Sequence, residues 1–154
     1  MESENIKALV DLQIEKAHRF LAQADEMYSM QYWDLAANRY YYACYHAVQA
    51  LFIANGLPAT KKHAGTVTQF SLHFVKSGKV ETTYGSFLAR MMQLRQKADY
   101  NCAYDISEKD LAEQVQLSKD FIKKIEELLE IELTDYMEYL DLLNCILVKR
   151  LMFL

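Results

Sequence analysis

Proline and glycine are nearly missing: the 154 residues hold one proline and four glycines, where average usage gives roughly eight and eleven. So few breakers leave little room for the turns of a β-sandwich or barrel. Three cysteines, Cys44, Cys102 and Cys145, are odd in number, far apart and without CxxC spacing. A disulfide framework is therefore not expected, and a reducing, cytoplasmic setting fits better. The opening MESENIKALV is acidic where a secretory signal would be basic, so none is expected. No run of 18 apolar residues occurs, and the apolar tail is broken by Asp141, Lys149 and Arg150, so no membrane span is expected. Phosphate-binding G-x-x-x-x-G-K-[ST] and G-x-G-x-x-G loops and the G-x-S-x-G elbow are all missing. His18, His46, His63 and His73 show no HxxxH or HExxH spacing, so neither a metal site nor a cofactor is expected.

What is present points to helices. At 18.0 kDa the chain is one domain's worth. Apolar residues make up 52% and charged residues 25%, an ordinary globular composition. Seventeen basic against 21 acidic residues give a net charge of −4. That excludes a generally basic nucleic-acid coat but not a locally basic cleft. Ile6, Val10, Ile14, Ala17, Leu21, Ala24 and Tyr28 form one stripe of a helix over residues 5–29, with Lys16, Arg19 and Gln23 expected in water. A second, alanine-rich helix runs over 33–55 and is stopped by Gly56 and Pro58. Val67, Phe70 and Phe74 mark a short third helix ending near Gly78. A fourth spans 83–100, with Phe87, Leu88, Met91, Met92 and Leu94 for the core. Ser107 caps a fifth, with Leu111, Val115, Ser118, Ile122, Ile125 and Leu129 as its stripe. The expected fold is all-α, an up-and-down bundle of about five helices over 1–131. An apolar, helical extension over 132–154 is expected to follow.

That extension carries two apolar stripes: Tyr136, Met137, Leu140, Leu143, Leu147 and Leu151, and then Tyr139, Leu142 and Ile146. A helix apolar on two sides needs two partners or a buried position. Packing on its own domain or on another subunit is the leading expectation. A disordered or non-native extension and a membrane-surface contact are the alternatives.

Chemistry concentrates on the second helix. Arg39 and His46, seven residues apart, lie two turns apart on nearly the same face, about 10 Å along the axis. An arginine grips phosphate oxygens bidentately, and an imidazole moves a proton near neutral pH. The pair therefore suits phosphate chemistry. The competing reading is an Arg39 ion pair and a satisfied core histidine. Tyr42, three residues after Arg39, is the tyrosine nearest the pair, and Tyr40, Tyr41 and Tyr45 are expected to point elsewhere. Arg95 and Asp99, at i and i+4, are expected to pair with each other or with Arg39 or His46. They either support the site or form a surface salt bridge. Lys61, Lys62 and His63 form a basic loop before a helix, able to contact phosphate or simply solvated.

These pieces recur together. The strings Ala37-Asn38-Arg39-Tyr40-Tyr41-Tyr42-Ala43-Cys44-Tyr45-His46-Ala47, Lys62-His63-Ala64-Gly65, Phe74-Val75-Lys76-Ser77-Gly78 and Arg95-Gln96-Lys97-Ala98-Asp99-Tyr100, with Phe70, resemble the HEPN superfamily. The likeness is to its small stand-alone bacterial and archaeal proteins, over about residues 6–129. The resemblance implies a helical bundle that usually dimerises. In many members it is a metal-independent ribonuclease whose R-x(4–6)-H motif, here Arg39 and His46, lies at a dimer cleft. Some members are toxins paired with a nucleotidyltransferase antitoxin, and others only bind nucleotides. Where one toxin subgroup carries a modified tyrosine two residues after the motif histidine, this chain has Val48. The expectation is a homodimer acting on RNA through Arg39 and His46, with Arg95, Asp99, Tyr42, Lys62 and His63 supporting. The rivals are a non-catalytic nucleotide-binding or nucleotidyltransferase-partner domain, and a structural dimer without a small ligand.

Overall fold

The computed structural model describes residues 2–60 and 62–153, with the side chains of residues 2–3 and 131–137 outside that description. Lys61 of the basic loop and the tail residues Tyr136 and Met137 therefore fall outside what is said of side chains. Among the described residues the chain is all helical. It comprises α1 (Glu2–Ser29), α2 (Trp33–Ala54), α3 (His63–Phe70) running into a π-helical turn (Ser71–Val75), α4 (Thr82–Tyr100) and α5 (Glu108–Met152). Helix α2 is the centre, packed against α1, α4 and α5, with α3 closing one side.

The small side chains of α2 permit this crowding. Ala36, Ala37, Ala43, Ala47 and Ala50 are fully buried, so three helices approach its backbone closely. The stripes of α1 and α5 face inward as their spacing requires: Val10, Ala17 and Ala24 on α1, and Leu111, Ile122, Ile125 and Leu129 on α5, are buried. Phe70, Phe74, Phe87 and Phe121 fill the space between α3, α4 and α5, with Phe121 within 5.6 Å of the Phe70 and Phe87 rings. On α4, Phe87, Leu88 and Met91 are buried, and Met92 and Leu94 only half so. Gln23, expected in water, is half-buried beside the inward stripe.

The ends are set by local chemistry. Ser107 accepts from the Asp110 backbone N–H, while the Asp110 carboxylate accepts from the Ser107 N–H, a reciprocal cap. At the end of α2, Gly56 at φ +66° lets the Leu57 and Gly56 N–H groups bond back to the Phe52 and Ile53 carbonyls. The same closure ends α1, with Tyr32 N–H on the Met27 carbonyl at 2.9 Å, but its left-handed position is held by Gln31 at φ 65°.

The C-terminal extension is helical, as expected. Helix α5 is one continuous helix through residue 131, and its end does not pack on its own domain. Tyr139, Leu142, Ile146 and Leu151 are 57%, 59%, 47% and 72% exposed. Among the described residues, Leu129 is the last of α5 to be buried.

The left-handed glutamine makes a stability prediction. A non-glycine residue there costs about 1–2 kcal/mol, partly offset by glycine's entropy in the unfolded chain. Gln31→Gly should stabilise by about 0.5–1 kcal/mol, raising Tm by roughly 1–4 °C. An unchanged or lower Tm by calorimetry would contradict it.

Candidate functional site

A strip of α2 with one fully buried member, Tyr41, and three half-buried ones carries the polar groups. Tyr41 and Tyr45 are one turn apart, as are Tyr42 and His46, and together they form one diamond on the helix surface. Around it lie two connected clusters.

The first lies between α1 and α2. His46 Nδ1 donates to Gln13 Oε1 at 2.8 Å, which leaves Nε2 as the unprotonated nitrogen. Burial holds the His46 pKa down at about 4, and the charges of Lys16 and Arg19 add to the effect. The ring sits edge-on to Phe20 at 5.3 Å. The Arg39 guanidinium lies 4.8 Å over the same Phe20 ring, and Lys16 Nζ 5.7 Å from it. Arg39 and His46 thus converge on one aromatic ring, with Lys16 and Arg19 adding positive charge. Among the described residues no acidic side chain pairs with Arg39.

The second lies between α2, α3 and α4. The Arg95 side chain is only 5% exposed, and its guanidinium lies 5.1 Å from the Tyr41 ring and 5.7 Å from the Tyr42 ring. Its Nη1 meets Asp99 at 3.5 Å, and Asn38 Nδ2 donates to the same carboxylate at 3.1 Å. The buried Arg95 Nε has no partner. Arg95 and Asp99 therefore meet each other, and neither bonds to Arg39 or His46. The Tyr41 hydroxyl shares a 2.8 Å hydrogen bond with His63 Nδ1. Burial, then the Arg95 charge, pushes the His63 pKa down, and burial pushes the Tyr41 hydroxyl up, so both stay neutral.

Tyr42 and Tyr45 join the clusters. The Tyr45 ring lies 5.3 Å from His46 and 5.0 Å from His63, and Tyr42 lies 6.5 Å and 5.5 Å from the same two rings. Tyr45 thus faces His46, contrary to expectation, while Tyr41 is fully buried and turns its hydroxyl to His63, away from Arg39 and His46 as expected. Tyr40 does point elsewhere, donating to Asp25. Lys62 is exposed at the start of α3, and its side chain reaches neither cluster. Gln13, Lys16, Arg19 and Phe20 escaped the sequence reading, since a stripe of α1 read alone does not say which flank faces α2. Their only signal was a pair of cations, Lys16 and Arg19, beside an inward aromatic. Val48 is fully buried, so that position offers no modifiable side chain.

The Arg95–Asp99 pair is open to test. Removing one partner of a shielded pair strands the other, whereas an exposed pair is worth about 0–1 kcal/mol. Asp99→Ala should cost about 1–3 kcal/mol by chemical denaturation. Arg95→Met/Asp99→Ala should recover part of that loss. A midpoint unmoved by Asp99→Ala would make it a surface salt bridge.

Comparison with known proteins sets this geometry in a family. The HEPN domain model matches residues 10–135, a span that includes every residue of both clusters. A UPF0332 protein of Thermotoga maritima is 37% identical over 62% of this chain and 71% of its own length. Two proteins of Methanocaldococcus jannaschii whose names mark them as candidate toxins are also similar. One is 32% identical over 79% of this chain and 88% of its own length, the other 26% over 72% and 75%. With the matched span, the helical bundle and the Arg39–His46 spacing in agreement, this chain belongs to the HEPN domain family.

Proposed function

We propose that this HEPN protein is a metal-independent endoribonuclease, acting as a toxin of the kind its Methanocaldococcus relatives are named for. The observation that carries it is His46. Its Nδ1 proton is held by Gln13, its Nε2 is a lone-pair base at neutral pH, and it stands beside three cationic side chains. Nε2 takes the proton of a ribose 2′-OH as that oxygen attacks the adjacent phosphorus. Arg39 binds the non-bridging oxygens as negative charge builds on the phosphorane. The 5′-oxygen leaves with a proton returned by the imidazolium, giving a 2′,3′-cyclic phosphate and a 5′-hydroxyl. The half-buried Tyr42, Tyr45 and His63 rings offer faces for a neighbouring base. A nucleotidyltransferase antitoxin is the partner this reading anticipates.

A second reading is non-catalytic binding of a nucleotide. It is favoured by the half-buried Tyr42, Tyr45 and His63 rings near Arg39, which serve a base and a phosphate without proton transfer.

Purified protein should cleave RNA in EDTA, leave 2′,3′-cyclic ends and spare substrates with 2′-deoxyribose at the cut. His46→Ala, shown to fold by circular dichroism, should lose about 10²–10⁴-fold in rate. Wild-type protein that leaves diverse RNAs intact, with and without divalent metal, while binding nucleotide would establish the second reading.

The pH profile follows from the lowered pKa. His46 must be unprotonated to act, so kcat/KM falls as pH drops through about 4, not through the ordinary value of 6.5. Lys16→Met/Arg19→Met removes the two charges that help depress it, so the acid limb should move up. Between 6.5 and about 4 the unfolded chain binds the His46 proton and the folded one does not, so this group also weakens folding as pH falls. An acid limb near 6.5 in the wild type, or one that ignores both cations, would remove His46 as the base.

A further inference from the structure

Two imidazoles flank one tyrosine. The Tyr45 ring lies 5.3 Å from His46 and 5.0 Å from His63, and Tyr42 lies beside the same pair. Each imidazole has one nitrogen engaged by a neighbour, so the other nitrogen decides what it offers a ligand. For His46 that is a bare Nε2, because the Nδ1–H is spent on Gln13.

His63 offers the opposite. Tyr41 is fully buried, and among the described residues its hydroxyl has one hydrogen-bond partner, His63 Nδ1 at 2.8 Å. If Nδ1 carried the ring hydrogen, the Tyr41 O–H would find no acceptor, and a buried donor left unmet costs its full desolvation penalty. The hydroxyl therefore donates, and the hydrogen of the neutral ring sits on Nε2. Burial, and after it the Arg95 charge, keeps the ring neutral. That Nε2–H is nearly unspent. Its partner within the fold is the Tyr42 hydroxyl at 3.5 Å, the outer limit of a hydrogen bond. His63 itself is half-buried on the first turn of α3, not sealed as Tyr41 is.

Charge decides which acceptor suits this donor. The Arg95 guanidinium lies 5.1 Å from the Tyr41 ring and 5.7 Å from the Tyr42 ring. Asp99 meets Arg95 at 3.5 Å, yet it is the arginine's charge that bears on His63. A donor in a positive field favours an anionic oxygen over a neutral carbonyl. On a ribonucleotide chain the anionic oxygens belong to the phosphates.

We propose that His63 is a second substrate-touching histidine, whose Nε2–H, held in place by the Tyr41 hydroxyl, donates to a phosphoryl oxygen of the bound nucleotide chain. Tyr41 is its positioning residue. His63 works as a neutral donor and not as a cation of the basic loop. No bond breaks and no proton is transferred in this contact. The proposal rests on the strip being a nucleotide-phosphate site, and it holds whether the chain is cut there or only bound.

Side-chain ¹⁵N correlation spectra of the free protein read both tautomers without any activity. His63 should show the Nε2–H form and His46 the Nδ1–H form. Tyr41→Phe should let the Nδ1–H form of His63 appear. Binding is read by fluorescence anisotropy with a labelled, uncleavable 2′-O-methyl oligonucleotide of mixed sequence. His63→Phe keeps the ring faces and lacks the donor, so it should weaken binding roughly 10–100-fold, the usual worth of a hydrogen bond to a charged group. His63→Gln, with an amide N–H near the Nε2 position, should restore most of that affinity. Circular dichroism first shows that both variants fold. A wild-type His63 in the Nδ1–H form overturns the proposal, as does His63→Phe binding as tightly as wild type. A loss that His63→Gln shares in full, or a wild type that does not bind the oligonucleotide, overturns it too. Cleavage tells this failure from that of the nuclease reading. A protein that passes these tests but leaves RNA intact loses the nuclease and keeps the contact. RNA cut by His63→Phe at the wild-type rate removes the contact and keeps the nuclease.

Discussion

Helix α2 has almost no solvent face, and the rest of the structure follows from that constraint. Twelve of its residues are buried, among them the alanines that let α1, α4 and α5 close around it. A polar group on such a helix must find a partner inside the protein or leave a costly unsatisfied atom. Tyr40 finds Asp25 on α1, Tyr41 finds His63 on α3, Asn38 finds Asp99 on α4, and His46 finds Gln13 on α1. Each partner lies on a different neighbour or a different level of the bundle. The polar contacts that satisfy α2 are therefore also the contacts that assemble the site.

Burial sets the protonation states there. His46, His63 and Tyr41 are each moved toward the neutral form chiefly by burial. The arginines keep their charge. Arg95 is shielded most completely, and its charge rests on a carboxylate and two tyrosine faces, which leaves Nε unsatisfied. Fixed cations beside neutral imidazoles can receive an anion without a preceding proton rearrangement.

Much of this was legible in the sequence, and the unreadable parts share a cause. The helix count, the alanine-lined α2, the Ser107 cap and the Arg95–Asp99 spacing are local or periodic features, readable from i, i+3 and i+4 relations. The scarcity of glycine and proline fixed the class. Gln13 and Phe20 were not readable, because their roles depend on the rotation of α1 against α2, which no local spacing encodes. Tyr45 is unreadable for the same reason: seen from the Arg39–His46 line it lies off-axis, and only the position of α3 brings His63 against it. The two apolar sides of the C-terminal extension are legible in its spacing, but what covers them depends on tertiary placement that no local spacing encodes.

The net charge of −4 conceals how the charges are distributed. Lys16, Arg19 and Arg39 gather at Phe20 and His46, with Arg95 on the far side of Tyr42. Acidic residues nearby are engaged elsewhere: Asp25 with Tyr40 and Lys119, Asp99 with Asn38 and Arg95. Cations gathered beside one low-dielectric aromatic strip raise the local positive potential there, whatever the net charge of the whole molecule. A net negative charge is therefore compatible with a locally cationic strip on one helix. A generally basic surface would hold a phosphate-bearing chain in many non-productive positions.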